Sequence, residues 1–255
     1  MKKIALITGA TAGIGEATAL LLAKNDFNII ITGRRNQLLE ALKDKIIANS
    51  GAEVLTLCFD VRKLSEVKAA VSSLETKWRQ IDVLVNNAGL SVGLCHIDKG
   101  VVDDWERMID TNIKGLLYIT REVSPLMVAR KTGHILNIAS IAGKEVYDGG
   151  NVYCATKHAV DALSKAMRID LLHDNIKVTN IAPGMAETEF SIVRFKGDKE
   201  RADKVYQGLT PLYAQDIAEA ILFAVTRPPH VCINDLLIMP VAQAAMGYVR
   251  REVYP

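Results

Sequence analysis

A phenol and an ammonium group lie four residues apart in the second half of the chain, at Tyr153 and Lys157. On a helix, side chains with this spacing share one face, and their Cβ atoms lie about 5–6 Å apart. A tyrosine ordinarily has a pKa of about 10, and a nearby ammonium favours the phenolate. The two residues could therefore transfer a proton to or from a substrate oxygen near neutral pH. The same spacing is also typical of a packed tyrosine beside a solvated lysine.

Two polar residues upstream of Tyr153 favour the catalytic interpretation. Ser140 directly follows the predicted strand Gly133–Ala139. A hydroxyl at the carboxyl end of a strand can donate a hydrogen bond to the reacting oxygen of a substrate. Asn112 is a polar amide within the otherwise amphipathic segment Val102–Met127. We expect its side chain to hold a water molecule near the site.

A glycine-rich turn follows the first apolar run of the chain. Gly9, Gly13 and Gly15 are spaced as Gly-x-x-x-Gly-x-Gly, between a predicted strand and a predicted helix. Glycines permit positive φ and a close approach of the backbone, and a helix N-terminus presents free N–H groups to a phosphate. At the start of an α/β pattern, the motif indicates a dinucleotide site that also includes Thr11 and Ile14.

The second predicted strand ends in two arginines, Arg34 and Arg35, rather than in an acidic residue. The sequence has no carboxylate between Asp26 and Glu40. A site that selects NAD usually places a carboxylate here to bind the ribose 2′-hydroxyl, whereas guanidinium groups bind phosphate oxygens bidentately. The sequence therefore predicts NADP in preference to NAD. The alternative is an exposed basic pair at the end of a strand.

The ends of the next two predicted strands are expected to complete the cofactor site. Asp60 and Val61 would reach the adenine edge, and Asn87, Ala88 and Gly89 would line the inner ribose. The carboxyl ends of neighbouring parallel strands meet at one edge of a sheet, which is where open α/β sheets bind ligands. A strand end of this composition could also be a simple turn.

Seven short apolar runs alternate with amphipathic segments along the chain. Runs such as 29–31 and 83–85 are hydrophobic throughout, as strands buried on both faces are. Strict alternation of strands and helices indicates a parallel sheet covered by helices on both faces. We therefore predict a single doubly wound α/β domain of Rossmann type over residues 1–255. Its predicted strands are Lys3–Thr8, Asn28–Thr32, Glu53–Phe59, Ile81–Asn86, Gly133–Ala139, Lys177–Ala182 and Val231–Met239.

The stretch from Pro183 to Leu209 breaks this alternation and shows no clear strand pattern. Long irregular segments in compact domains commonly form lids or binding loops, so residues 183–209 are predicted to cover a substrate. Arg194 and Lys196 would supply a cation there, and Arg194 could bind a substrate carboxylate bidentately. Alternatively, Arg194 faces solvent or pairs with a nearby acidic residue, either Glu187, Glu189 or Asp198.

The composition limits the kinds of partner. The chain has 255 residues, a net charge of +2 and 49% hydrophobic residues, which is typical of a globular protein. The balanced charge gives no electrostatic reason to expect a nucleic acid or a membrane surface as a partner. The four cysteines and five histidines show no metal-binding or redox spacing. We therefore expect a cytoplasmic protein that binds a small molecule and no metal.

Together, these motifs resemble those of the short-chain dehydrogenase/reductase family in order and approximate spacing, over essentially the whole chain. The resemblance implies that Tyr153 is the general acid/base, that Ser140 orients the substrate oxygen, and that Lys157 binds the nicotinamide ribose and lowers the pKa of Tyr153. It implies that Asn112 supports a water-linked proton relay to Lys157. It also adds the dipeptide Pro183-Gly184 to the cofactor site. The motifs that carry it are Thr8–Gly15, Asn86–Gly89, Asn112, Ser140, Tyr153, Lys157 and Pro183-Gly184.

A narrower similarity, to NADP-dependent 3-hydroxy acid dehydrogenases, lies mainly in the second half of the chain. It implies hydride transfer between NADP(H) and serine, L-allo-threonine, 3-hydroxypropionate or the corresponding oxo form. Two alternatives stay open: a reductase of another carbonyl class, such as a ketone, a sugar or a 3-oxoacyl thioester, and a non-catalytic NADP-binding sensor. The segments that carry the similarity are 33–35, 60–62, 149–153, 188–198 and 227–235.

The resemblance also implies a homotetramer, because family members commonly pair equivalent helices across a two-fold axis. The helix that carries Tyr153 has a stripe of small residues suited to close packing, namely Ala155, Ala159, Ala162 and Ala166. The C-terminal residues 243–255 are long for a free tail. We expect this tail to dock on a neighbouring subunit.

Overall fold

A computed structural model describes residues 2–252, and its central feature is a seven-stranded parallel sheet. The spatial order of the strands is 3-2-1-4-5-6-9. This confirms the predicted doubly wound α/β fold. The sheet consists of β1 (Lys3–Ile7), β2 (Phe27–Gly33), β3 (Val54–Cys58), β4 (Ile81–Asn86), β5 (Gly133–Ile138), β6 (Ile176–Pro183) and β9 (Asp235–Ile238), while β7 (Ala186–Glu187) and β8 (Leu212–Tyr213) pair outside it.

Helices pack on both faces of the sheet. Successive strand residues point to opposite faces, so Leu6 lies in one apolar layer and Ile7 in the other. Both side chains are fully buried. The helices are α1 (Gly13–Lys24), α2 (Asn36–Asn49) and α9 (Ala214–Val225) on one face, and α3 (Leu64–Ser72), α5 (Leu116–Val128) and α6 (Asn151–Asp170) on the other, with α4 (Val102–Ile109), α7 (Phe190–Arg194) and α8 (Lys199–Lys204) near the carboxyl edge.

The predicted amphipathic segment 102–127 is not one uninterrupted helix. A π-helical stretch, Asp110–Gly115, joins α4 to α5 and contains Asn112. Such stretches are uncommon and occur frequently at functional sites. Asn112 is 2% exposed there, so its amide must find its hydrogen-bond partners inside the protein.

The segment 183–209 is more regular than the sequence indicated. It contains β7, α7 and α8, and β7 pairs with β8 in parallel. Apolar periodicity is read over a window of about 11–18 residues, and each of these elements is shorter than that window. The segment therefore shows no periodic signal although it is folded.

The seventh strand begins later than predicted, at Asp235 rather than Val231. Most of the residues just before it are bound by side chains of the neighbouring elements. The Thr179 hydroxyl donates to the carbonyl of Ile233 at 2.6 Å, and the Arg168 guanidinium donates to that of Asn234 at 2.6 Å. These contacts satisfy backbone carbonyls without extending the ladder.

The C-terminal tail folds back on its own chain. Residues 243–252 contain β10 (Gln243–Ala245) and β11 (Tyr248–Val249), which pair antiparallel. The Arg251 guanidinium donates to the carbonyl of Val205 at 3.0 Å, next to α8. The described part of the tail thus contacts segment 183–209, the predicted lid segment, of the same chain. The last three residues of the expected tail, 253–255, lie outside the described residues.

Two buried asparagines join the centre of the sheet to the helices on one face. Asn86 Nδ2 donates to Asn137 Oδ1 at 2.8 Å and to Thr120 Oγ1 at 2.9 Å. Asn137 Nδ2 in turn donates to Ser164 Oγ at 2.9 Å. This chain of bonds crosses α5, β4, β5 and α6. It fixes the lateral positions of the two strands that lead into the carboxyl edge.

Replacing Asn137 with alanine should lower the free energy of unfolding by about 2 kcal/mol, because it leaves the buried Asn86 amide and Ser164 hydroxyl short of a partner. Urea denaturation measures the loss. The variant Asn86→Ala/Asn137→Ala should lose clearly less than the sum of the two single variants, since both remove the same bond. Simple additivity would show that the two amides act independently.

Candidate active site

A cavity of about 620 Å³ opens at the carboxyl ends of the strands. It brings together most of the residues predicted to form the site. Gly15 and Asn112 are the two exceptions and lie behind the cavity wall. The predicted residues that line the cavity are Gly9, Thr11, Gly13, Ile14, Arg34, Arg35, Asp60, Val61, Asn87, Ala88, Gly89, Ser140, Tyr153, Lys157, Pro183, Gly184 and Arg194.

The glycine-rich turn is shaped by close backbone contacts. Gly9 and Gly13 have φ values of +64° and +54°, which side chains disfavour. A Cβ on Gly9 would lie 2.9 Å from Ala88 Cα, and one on Gly15 would lie 2.5 Å from the Gly9 carbonyl oxygen. Gly15 therefore serves the packing of α1 against the turn, while the turn itself lines the cavity. A backbone cradle at the start of α1 fits a pyrophosphate group.

The turn is tied to the strand end beside it by Thr8 and Asn87. The Thr8 hydroxyl accepts the backbone N–H groups of Asn87 and Ala88, both at 3.0 Å. Asn87 Nδ2 donates to the carbonyls of Thr8 at 2.9 Å and Gly9 at 3.1 Å. The side chain of Asn87 thus holds the glycine-rich turn in place.

The two arginines after β2 lie at one end of the cavity. Arg35 donates to Thr11 Oγ1 at 2.8 Å through Nη2 and pairs with Glu189 of the lid segment at 3.2 Å. Arg34 lies 3.8 Å from the Asp60 carboxylate, and its side chain is 60% exposed. Both guanidinium groups line the cavity, so they can bind an anion that enters it.

Asp60 is held in a fixed orientation at the same end. Its carboxylate accepts Arg62 Nη2 at 2.6 Å and the Arg62 backbone N–H at 3.0 Å. Burial raises the pKa of Asp60, but the bonds from Arg62 and the charge of Arg34 outweigh this effect and keep it below its usual value. The carboxylate therefore stays ionised at neutral pH.

Tyr153 and Lys157 lie on the buried face of α6, with 6% of each residue exposed. Lys157 Nζ is 5.9 Å from the centre of the Tyr153 ring and donates to the Ile138 carbonyl at 2.8 Å. Ser140 lies two residues after the end of β5. Its hydroxyl accepts the Ala142 N–H at 3.1 Å.

Burial changes both proton affinities at this end of the cavity. It lowers the pKa of Lys157 to about 8 and raises the pKa of Tyr153. Lys157 was expected to lower the pKa of Tyr153, and that role stays a prediction. The groups that oppose the effect of burial are the Arg194 charge and the Ser140 hydroxyl.

Arg194 reaches this end of the cavity from α7. Its guanidinium carbon lies 5.4 Å from the centre of the Tyr153 ring and 4.9 Å from that of Phe190. Nε donates to Ser91 Oγ at 3.2 Å, and Nη2 donates to the Tyr147 hydroxyl at 3.0 Å. Every one of these partners is uncharged.

The acidic residues considered as partners of Arg194 do not bind it. Glu189 pairs with Arg35 at 3.2 Å, and Asp198 accepts the backbone N–H of Arg201 at 3.0 Å. Across residues 2–252, Arg194 forms no ion pair with a carboxylate. The guanidinium is half-buried, so it lies against the cavity with an unneutralised charge.

The side chain of Asn112 is held by hydrogen bonds within the protein. Its Oδ1 accepts the Leu90 N–H and its Nδ2 donates to the Leu90 carbonyl, both at 2.8 Å. Nδ2 also donates to Thr156 Oγ1 at 3.0 Å. The amide is thus bound to protein partners through both its oxygen and its nitrogen. Asn112 fixes the loop after Gly89 relative to α6.

Several residues at the reacting end were not found by sequence reasoning. Tyr147, Phe190 and Met246 line the cavity, and Ser91 binds Arg194. Ser91 lies two residues after Gly89, so extending the segment Asn87–Gly89 by two residues would have included it. The other three have no local pattern that points to the site. They come together through the lid and the tail.

The arrangement of this cavity is that of a dinucleotide-binding protein. A glycine-rich turn between β1 and α1, at the carboxyl edge of a parallel sheet, is where such proteins place a pyrophosphate. No cluster of histidine, cysteine and acidic side chains suited to a metal ion occurs within residues 2–252. In the same described range, no helix is long and apolar enough to cross a membrane.

Comparison with known proteins identifies the family. The short chain dehydrogenase family matches residues 3–199, and the chain belongs to it. An NADP-dependent 3-hydroxy acid dehydrogenase of Salmonella typhi is 51% identical over 245 residues, 96% of this chain and 97% of that protein. The serine 3-dehydrogenase of Rhizobium radiobacter is 42% identical over 248 residues, 97% of this chain and 98% of that protein.

One solved structure shows a similarity of the same kind. The closed form of a serine dehydrogenase complexed with NADP+ superposes with a TM-score of 0.91 and is 46% identical. The superposition covers 98% of this chain and 100% of that one. The likeness therefore includes the lid segment and most of the tail.

The buried ammonium gives a pH-dependent test of the site. An unfolded Lys157 titrates near 10.5 and the folded one near 8, so between these values the unfolded state holds a proton that the folded state has lost. Stability from this group is therefore gained as pH rises through the interval. Relative to Lys157→Met, the unmodified protein should gain about 2 kcal/mol between pH 7 and pH 10.

Urea denaturation of both proteins at the two pH values measures this difference. Comparing the two proteins at each pH removes the contribution of the other titrating groups, which they share. A gap that stays constant with pH would contradict the low pKa of Lys157.

Proposed function

We propose that this chain is an NADP-dependent oxidoreductase that interconverts a small 3-hydroxy acid and its oxo form. Serine, L-allo-threonine and 3-hydroxypropionate are the candidate substrates. The observation that carries the proposal is the unpaired Arg194 guanidinium, 5.4 Å from the centre of the Tyr153 ring. It provides a binding group for a carboxylate beside a group that can exchange a proton. The names and the similarity of the relatives support the same substrate class.

NADP would bind along the glycine-rich turn and the adjacent strand ends. The turn would hold the pyrophosphate, and Arg34 and Arg35 would bind the 2′-phosphate. Asn87–Gly89 and Pro183-Gly184 would line the nicotinamide half, with Lys157 on the ribose hydroxyls. When bound, NADP supplies or accepts the hydride.

Tyr153 is proposed to exchange the proton with the substrate oxygen. In oxidation, its phenolate accepts the proton of the 3-hydroxyl group, and in reduction its phenol returns it. Ser140 donates a hydrogen bond to the same oxygen and stabilises the charge that develops there. Arg194 favours the phenolate electrostatically, against the effect of burial. Asn112 positions Leu90 and Thr156 and would support a water-linked proton relay to Lys157.

The segment 183–209 is proposed to act as the substrate lid. It is fastened by the Arg194 carbonyl, which accepts the Gly93 N–H at 2.9 Å, and by Lys196, which pairs with Asp104 at 2.7 Å. Arg194 and Lys196 lie in the same segment, so lid position and carboxylate binding are linked. A lid that brings its own arginine to Tyr153 suits a short substrate with a carboxylate near the reacting carbon.

We also propose that the protein is a homotetramer of the cytoplasm. Exposed apolar residues on α4, α5 and α6 support self-association, including Val102, Leu117 and Ile169 at 62%, 38% and 74% exposure. All four cysteines are free, which is compatible with a reducing compartment. Light scattering tests the assembly.

The function is tested by following reduced nicotinamide by absorbance with NADP and with NAD. The substrates are serine, L-allo-threonine, 3-hydroxybutyrate and simple alcohols. We expect turnover with the hydroxy acids and NADP, and a clear preference for NADP over NAD. Turnover of the simple alcohols without turnover of the hydroxy acids would assign another carbonyl class, such as a ketone, a sugar or a 3-oxoacyl thioester. Cofactor binding without any turnover would favour a sensor.

The substitution Arg194→Ala should raise the KM for serine by about 10- to 100-fold, because a charge-assisted hydrogen-bonded contact to the carboxylate is lost. The KM for a neutral alcohol should change much less. Steady-state kinetics with both substrates measure the contrast. Arg201→Ala is the matched control, since Arg201 is an exposed lid arginine whose guanidinium lies 4.6 Å from the Phe195 ring centre. Equal changes for serine and the alcohol would rule out carboxylate binding by Arg194.

A further inference from the structure

The C-terminal hairpin, residues 243–252, is fastened to both ends of the lid segment. At one end, Gln243 is 3% exposed, and its Oε1 accepts the backbone N–H of Met185 at 2.8 Å. At the other end, the Gly208 carbonyl accepts the backbone N–H of Glu252 at 2.7 Å. Both contacts lie within one chain, and the one at Gly208 joins two backbone groups. The hairpin is thus a fixed part of the cavity wall.

Met246 connects the two strands of this hairpin and faces the reacting end. Its backbone N–H donates to the Glu145 carboxylate at 2.7 Å, close in sequence to Ser140. Its side chain lines the cavity and packs with the small apolar cluster that contains Tyr153 and Cys154. Val249 and Arg251 also line the cavity, but among the described residues neither belongs to that cluster.

The two sides of the reacting end therefore differ in chemistry. Arg194 offers a charge and is held through Ser91 and Tyr147. Met246 offers an apolar side chain and is held from the Glu145 side. A 3-hydroxy acid has the same two ends, with a carboxylate on one side of the reacting carbon and hydrogen or an alkyl group on the other. A thioether suits the alkyl side and excludes water from it.

We propose that Met246 is a specificity-determining residue that limits the length of the substrate's alkyl group beyond the reacting carbon. The inference rests on the proposed function, because it assigns the apolar side of the same substrate. Replacing Met246 with alanine removes three heavy atoms from the cavity wall and leaves room for a longer chain. The hairpin backbone keeps its hydrogen bonds, since they do not use the Met246 side chain.

The test compares kcat/KM for 3-hydroxyhexanoate and 3-hydroxypropionate in the full-length protein, with NADP. In Met246→Ala, the ratio of the longer to the shorter substrate should rise about tenfold or more over the unmodified protein. The matched control is Tyr248→Ala on the same hairpin, where the side chain is 76% exposed and does not line the cavity. Its ratio should stay unchanged.

A second variant should change the preference for the longer substrate in the opposite direction, so the proposal can still be tested if Met246→Ala folds poorly. Met246→Trp should lower kcat/KM for 3-hydroxybutyrate relative to 3-hydroxypropionate, while the Kd for NADP stays unchanged. Unaltered ratios in a folded, NADP-binding variant would overturn the role of Met246 and leave the proposed function intact. An unmodified protein that turns over no 3-hydroxy acid would overturn both.

Discussion

Two cations share one cavity without a carboxylate partner within the described chain. Lys157 donates to a backbone carbonyl, and Arg194 binds two hydroxyl groups and lies against aromatic rings. A buried charge without a counterion is costly, and that cost lowers the pKa of Lys157 to about 8. Anions that enter the cavity relieve it. A phosphorylated cofactor and a substrate carboxylate are two such anions, and the Tyr153 phenolate on the cavity wall is favoured by the Arg194 charge in the same way.

The fold maintains this constraint by separating the cations from the acids around them. Glu189 is drawn to Arg35, Asp104 binds Lys196, and Asp60 is held by Arg62. Each of these three carboxylates is thus bound by a cation other than Lys157 and Arg194, through contacts of segment 183–209 and the strand ends. The hairpin then fastens the lid at Met185 and Gly208. The same contacts hold the lid segment in place and leave the Arg194 charge without a carboxylate partner among the described residues.

The sequence predicted the parts of the site that depend on local patterns. The strands, the glycine-rich turn and the pair Tyr153 and Lys157 each follow from spacing along a few residues, and the structure brings them together. The parts that the sequence did not predict depend on partners that are distant in sequence. Asn112 binds Leu90 and Thr156, and the Arg194 charge favours the phenolate of Tyr153. No local pattern encodes such pairings, nor the return of the tail to its own lid.

We infer that the Arg194 charge acts on the proton affinity of Tyr153 as well as on the substrate. The most direct measurement is the pH dependence of kcat/KM for oxidation of a neutral alcohol, in the unmodified protein and in Arg194→Gln. Removing a cation that favours the phenolate should move the midpoint of the rising limb to higher pH, even though this substrate has no carboxylate. Arg201→Ala should leave the midpoint in place. An unchanged or lower midpoint in Arg194→Gln would contradict the account.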